Sequence, residues 1–362
     1  MRISILLAAF SIAVCGAAHA EGTFTALQTP GLQVTTLSGN GAYAVGSVGG
    51  GAGYRWTAST GAEEVIPALD VALGINDFGT IAGAVPVNGG AGNGGSDLGA
   101  YAAPGADPVQ LTNPLQQDSN GYGIADDGTV VGLSFDDNFV GAAIAFVWTA
   151  ADGMVALPVN RPANYSRANV ISADGHVIAG WNDQDDGSRT AVIWQDRVPF
   201  DVADADGNVV GEADGISSNG EFVVGTGYTD TQGDTGSWLW SAMGGVQLIP
   251  SMGFAFGVSD DGKTVVGANG FFDNPPRAAL IWQEGVGTML LSDYLTAQGI
   301  AIPTGWDPAL AGGLEGISAD GSLLAGWSSG PLGTQSYIIQ IQLVANDTIF
   351  SDGFDGSTPR VP

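Results

Sequence analysis

The amino-acid sequence predicts an all-β protein, a single seven-bladed β-propeller of four-stranded antiparallel blades. Two repeated phrases and the composition lead there. The first phrase is typified by Val170-Ile171-Ser172-Ala173-Asp174-Gly175-His176-Val177-Ile178-Ala179-Gly180: an apolar residue, a polar pair, Asp or Asn followed by Gly, then small apolar residues closing on Gly. That grammar is a β-hairpin whose turn glycine supplies a positive φ. Seven copies run over Leu37–Gly46, Ile75–Gly83, Ile124–Gly132, Ile171–Gly180, Ile216–Gly225, Val258–Gly267 and Ile317–Gly326. Their closing glycines lie 37, 49, 48, 45, 42 and 59 residues apart, a period of solenoids, propellers or arrays.

The second phrase is Ala145-Phe146-Val147-Trp148-Thr149, a turn at Ala151-Asp152-Gly153, and Met154-Val155-Ala156-Leu157. Related strands end at Trp56, Trp194, Trp240 and Trp282, with Tyr101 and Tyr337 in the corresponding place of the other two blades. Each period therefore holds four strands, a to d, and seven such sheets make one propeller. Asp204 to Gly211 repeats the hairpin phrase out of turn, so eight blades are the alternative count. A chain that is 44% hydrophobic and only 13% charged suits strands buried on both faces between neighbouring blades.

Along the chain, Met1 to Ala20 reads as a secretory signal peptide, with Arg2 as the charged region, an apolar centre and Ala18-His19-Ala20 as the cleavage site. Cleavage after Ala20 removes Cys15 and leaves no thiol. A propeller over 21–345 follows, then a tail, 346–362, expected to be disordered. Thr23 to Leu27 reads like a d strand with no blade of its own, while the last copy lacks one, so the two are expected to pair and close the ring. Asn88 to Gly95 is a Gly-rich surface loop. In the longest gap, Ser292 to Gly299 carries a short helix signal, with Ser292 as N-cap and Gly299 as terminator.

Gly215-Ile216-Ser217-Ser218-Asn219-Gly220-Glu221-Phe222-Val223-Val224-Gly225 and Ala145 to Thr149 resemble the HAF family of bacterial extracellular repeats. The resemblance covers roughly residues 34 to 343 and implies a β-propeller, with an insertion before the last copy that includes a Gly-Trp pair such as Gly305-Trp306. It implies no catalytic residues. The tail from Asp347 to Asp355 is similar to short C-terminal motifs of secreted proteins of gram-negative bacteria.

The formal charge of −28 becomes −29 once Arg2 is removed, and only eight Lys and Arg (9 minus Arg2) remain, which argues against a nucleic-acid partner. No other apolar run is long enough for a membrane span. A protein secreted or held at the cell envelope, and monomeric, is the expectation. His176, the lone histidine after cleavage, falls at a turn, and no Gly-x-Ser-x-Gly elbow accompanies it. Most carboxylates have a turn to explain them. For a metal, the oxygen-rich run at Asn182, Asp183, Asp185 and Asp186 is the candidate Ca2+ loop.

In a four-stranded blade the a–b and c–d turns emerge on one face and the b–c loops on the other. The b–c loops gather variable, acidic and aromatic residues, so Trp181, Tyr228, Asp230, Asp234, Phe272, Asp273 and Trp327 are the candidate binding residues. The expected function is non-catalytic binding of a polysaccharide or cell-surface protein through that face. The alternatives are a carbohydrate-active hydrolase or lyase using Asp pairs, and a structural envelope protein.

Overall fold

The computed structural model describes residues 22–49, 51–87, 96–113, 118–135, 143–229, 235–270 and 277–342. The signal segment, the tail and the loop 88–95 lie outside the described residues. Seven four-stranded antiparallel sheets are arranged as the blades of one propeller, each a simple meander from inner strand a to outer strand d. The inner strands are Leu32–Leu37, Val71–Ile75, Ser119–Ile124, Ser166–Ile171, Ala213–Ile216, Phe254–Val258 and Gly312–Ile317. Asp204 to Gly211 builds no eighth blade. It closes on itself through an Ala203–Val209 bridge and the hydrogen bond from Asp204 N to Asn208 O, inside the link between blades 4 and 5.

The seventh blade takes its outer strand from the other end of the chain. Thr23–Ala26 pairs antiparallel with Gly333–Gln340, from Thr23 opposite Gln340 to Ala26 opposite Tyr337. Phe24 then stacks on Tyr337 at 5.1 Å and meets Trp306 edge-on at 5.2 Å, while Leu27 is buried. The insertion before this blade carries a helix, Leu291–Ala297, whose Leu291 and Leu295 fill the space between blades 6 and 7 together with Ile300, Trp306 and Leu310. Ser292 is not its N-cap. Leu290 holds that position with extended backbone and no side-chain cap, because burial of Leu291 starts the helix two residues early.

Apolar residues collect in seven clusters, one between each pair of adjacent blades; Val131 and Val147 of blade 3, for example, pack on Ile178 and Trp194 of blade 4. The tryptophan of strand c stands opposite the residue two before the closing glycine, as in Ile178 with Trp194 and Val265 with Trp282. In blades 2 and 7 that place belongs to Ala102, opposite Ile81, and Ile339, opposite Leu324. Tyr101 and Tyr337 are thus out of the tryptophan register by one and two residues. Tyr101 leans on Trp148 of blade 3, and Tyr337 sits across from the closing Gly326, under Phe24.

Candidate functional site

Every inner strand contains the same irregularity. The a–b register skips one residue in each blade, leaving Thr35, Leu73, Tyr122, Asn169, Asp214, Phe256 and Glu315 as the extra residues of seven β-bulges. A bulge re-aims its unpaired residue. All seven line the central cavity, of about 290 Å³. The closing glycine exists for this bulge: a Cβ on Gly225 would lie 2.0 Å from the Glu212 carbonyl oxygen, and one on Gly267 1.9 Å from that of Phe254. It does not end the b strand, which continues past it in blade 4 to Asp183.

At the a–b turn end the cavity is shut. A hydrogen bond joins each turn to the next around the whole ring, from Asn40 N to Asp77 Oδ1 (2.9 Å) and Asp77 N to Asp126 Oδ1 (3.0 Å) through to Ala319 N and Gly39 O (2.8 Å). Blades 1 and 5 meet across the axis here, since a Cβ on Gly39 would come within 2.3 Å of Ser218 Oγ. The cavity is therefore a blind well that opens on the b–c loop face.

The mouth of the well is a network of guanidinium, carboxylate and aromatic groups. Arg167 and Arg189 both donate to the Glu212 carboxylate, and Asn169 Nδ2 joins them at 2.9 Å from Glu212 Oε1. Arg167 lies 4.8 Å from the ring centre of Tyr122, and Arg189 lies 4.3 Å from that of Trp181. Across the well Arg277 lies against Phe254 (4.8 Å) and Phe256 (5.8 Å). Three of the seven Arg and Lys among the described residues thus gather at one mouth of a strongly acidic protein.

Two carboxyls face the well with spare capacity. Asp214 Oδ2 accepts from Thr226 Oγ1 at 2.7 Å, and Glu315 Oε1 accepts from Trp327 Nε1 at 3.1 Å; each has a second oxygen without a hydrogen bond among the described residues. Burial by the channel wall, reinforced by the nearby Glu212 charge, pushes Asp214 up to about 8. Burial pushes Glu315 up to about 7 against the opposing pull of Arg277 and Trp327. Near neutral pH both carboxyls exchange protons, so each both donates and accepts hydrogen bonds.

Of the residues singled out from sequence, Trp181 and Trp327 stand directly behind this network. Trp181 is buried beneath Arg189 and Arg167, and Trp327 is half-buried and holds Glu315. Tyr228, on strand b of blade 5, is buried in the interface with blade 4 and donates its hydroxyl to Asp204 Oδ2 at 3.1 Å. Asp230, Asp234, Phe272 and Asp273 lie outside the described residues. In the acidic loop, Asn182 Oδ1 accepts from Arg161 N, Asp185 from Asn164, and Asp186 Oδ1 from Ser188 N and Oγ. Burial raises the pKa of Asp183, whose Oδ1 has no hydrogen-bond partner among the described residues. Among the described residues no three His, Cys, Asp or Glu are grouped to hold a metal ion. His176 is exposed on the opposite face, paired with Asp196 at 2.6 Å.

Sequence reasoning missed the bulge residues, though a signal was there. Directly before each hairpin phrase the repeat shows Thr-Thr36, Leu-Gly74, Tyr-Gly123, Asn-Val170, Asp-Gly215, Phe-Gly257 and Glu-Gly316: a different residue in every copy, beside one kept small in most of them.

No protein-family model matches this chain, and no curated protein matches it. Solved structures do. The WD40 repeats of RRP9 are similar at 15% identity over 89% of this chain and 99% of that one, with a TM-score of 0.54. The structure of U3-55K is similar at 13% identity over 88% and 98%, with a TM-score of 0.53. A TolB from Acinetobacter baumannii is 16% identical over 59% of this chain, which spans only 53% of that one, with a TM-score of 0.42. At these identities the two fuller likenesses show a shared fold: the chain is a seven-bladed β-propeller.

Proposed function

We propose that the protein is an exported binding propeller that takes a polysaccharide or a cell-surface protein through its b–c loop face, the point of entry being the mouth of the central well. One observation carries this reading. The bulge position carries a different residue in every blade, beside a hairpin phrase otherwise kept for turn and packing reasons, and all seven of its residues line the well. Polar and aromatic groups converging in a blind cavity form a site suited to a small molecule or a chain end. Export, and membership of HAF-like repeat proteins, are part of the same proposal and rest on Met1 to Ala20 and on the hairpin phrases.

The test is binding of purified protein to immobilised glycans and cell-surface proteins, with and without chelator. Saturable binding that is weakened by Asp214→Ala and unchanged by Asp127→Asn, on the opposite face, supports the reading. Binding that behaves the other way round overturns it. A second reading, a carbohydrate-active enzyme, draws on Asp214 and Glu315 as two carboxyls that exchange protons near neutral pH. New reducing ends released in the same assay would favour it over simple binding.

A further inference from the structure

The well has chemistry that narrows its occupant. Its guanidiniums are engaged from within: Arg167 and Arg189 both donate to the Glu212 carboxylate, and Arg277 lies against Phe254 and Phe256 near Glu315. An acidic polymer would have to displace Glu212 from Arg167 and Arg189 and is repelled further by the net charge of −28 on the whole chain, while a cationic one would meet three guanidiniums at the mouth. The cavity of about 290 Å³ is at the small end of the range for ligand sites, with room for a terminal unit and none for a polymer threading through, since the a–b turns meet across the axis. Tyr122 of blade 3 and Phe256 of blade 6 line opposite walls. Between them, Asp214 and Glu315 offer both donors and acceptors, and Thr35 adds a hydroxyl. Aromatic walls with hydroxyl-binding groups between them match a ring that has apolar faces and a belt of hydroxyls.

Resting on the reading of the well as the binding site, we propose that its occupant is the terminal ring of a neutral glycan, bound end-on between Tyr122 and Phe256 with its hydroxyls on Asp214 and Glu315. Recognition is then of chain ends. Affinity is set by one or two rings and does not grow with chain length, and a glycan without ends is excluded.

The experiment is isothermal titration of the mature chain with linear neutral oligosaccharides of two to six gluco-, manno-, galacto- or xylo- units, with cyclic glucans, and with uronic-acid oligosaccharides of matched length. At least one linear neutral series is expected to bind with Kd constant within about threefold across lengths, while cyclic and acidic probes fail. Asp214→Ala and Phe256→Ala should each weaken that binding at least tenfold, about 1.4 kcal/mol. The length and end dependence is read on the unmodified protein, so it stands even where a variant melts early. Cyclic glucans binding as well as linear ones, acidic probes binding tighter, or both variants retaining full affinity would each overturn the proposal. Two failures are distinguishable. If no oligosaccharide binds and a protein ligand does, losing affinity with Asp214→Ala, the well stands and the glycan falls. If a glycan binds regardless of the well variants, the well itself is wrong.

Discussion

Replacing Gly267 by Ala adds one methyl group to a strand in blade 6, and the effect follows from the bulge. The new Cβ would sit 1.9 Å from the Phe254 carbonyl oxygen, where a carbon and an oxygen ordinarily rest about 3.3 Å apart or more. The obstacle is backbone, so no rotamer change relieves it. Strands Phe254–Val258 and Thr264–Ala268 must move apart by roughly 1 Å, which loosens their ladder and lifts Val265 and Val266 from the two blade interfaces they fill. Overpacking of this kind costs about 3 kcal/mol. For a propeller of this size that is a fall in Tm of roughly 4–5 °C. Scanning calorimetry of the variant beside Gly49→Ala measures it. Gly49 is the fitting control because it is exposed, and its nearest neighbour to a new Cβ, the Gly31 carbonyl oxygen, lies 3.8 Å away. A Gly267→Ala protein that melts within 2 °C of the parent would refute the bulge as the reason for the repeated glycine.

Deleting residues 22–30 removes the strand that closes blade 7, with the burial of Phe24 and Leu27; at about 2–3 kcal/mol for each side chain the Tm should drop by roughly 6–9 °C, and an unchanged melt would show that the ring closes without it. Asp214 gives stability a pH dependence of defined sign. Its folded pKa of about 8 is above the unfolded value, so between about pH 4 and 8 the native chain binds the extra proton, and stability falls as pH rises through that window. Urea midpoints at pH 5, 7 and 9 should therefore decline more steeply for the parent than for Asp214→Asn, by a difference on the order of 2 kcal/mol, because the side chain reaches channel water; parallel declines would place Asp214 in an ordinary solvent environment. Asn40→Ala removes the hydrogen bonds from Asn40 Nδ2 to Asp77 O and from Ala42 N to Asn40 Oδ1, one link of the turn ring, and should cost about 1 kcal/mol by the same denaturation assay.

The blade count and the closure of the ring were legible because both depend on what repeats. Asp-Gly turns recur since only a few residues tolerate the turn, and an unpartnered strand at 23–27 had one open edge to join. Registers within a strand were less legible. An aromatic at the end of strand c looks alike at Trp194 and Tyr337, yet two residues separate their positions in the ladder, and only pairing with strand b tells them apart. The variable loops single out the b–c face, onto which the well opens, but the loop residues themselves do not build the well. The well is built one step inward, at Tyr122, Asp214, Phe256 and Glu315, each standing just before the repeated hairpin phrase. Trp181 and Trp327 stand out in the sequence only as aromatics near strand ends; in the structure they support Arg189 and Glu315. No rule of periodicity marks a bulge. It emerges when the copies are compared for what differs and when the closing glycine is asked what its missing Cβ makes room for.

The central claim is that ligand enters a blind well on the b–c loop face, and a diffraction experiment on crystals soaked with a linear neutral oligosaccharide from the binding series tests it most directly. The account predicts density for a terminal ring between Tyr122 and Phe256, within hydrogen-bond distance of Asp214 and Glu315, with the rest of the chain leaving past Arg189. Density lying along the outer b–c loops with the well empty of sugar, or on the a–b turn face beside Asp126 and Asp260, would contradict it.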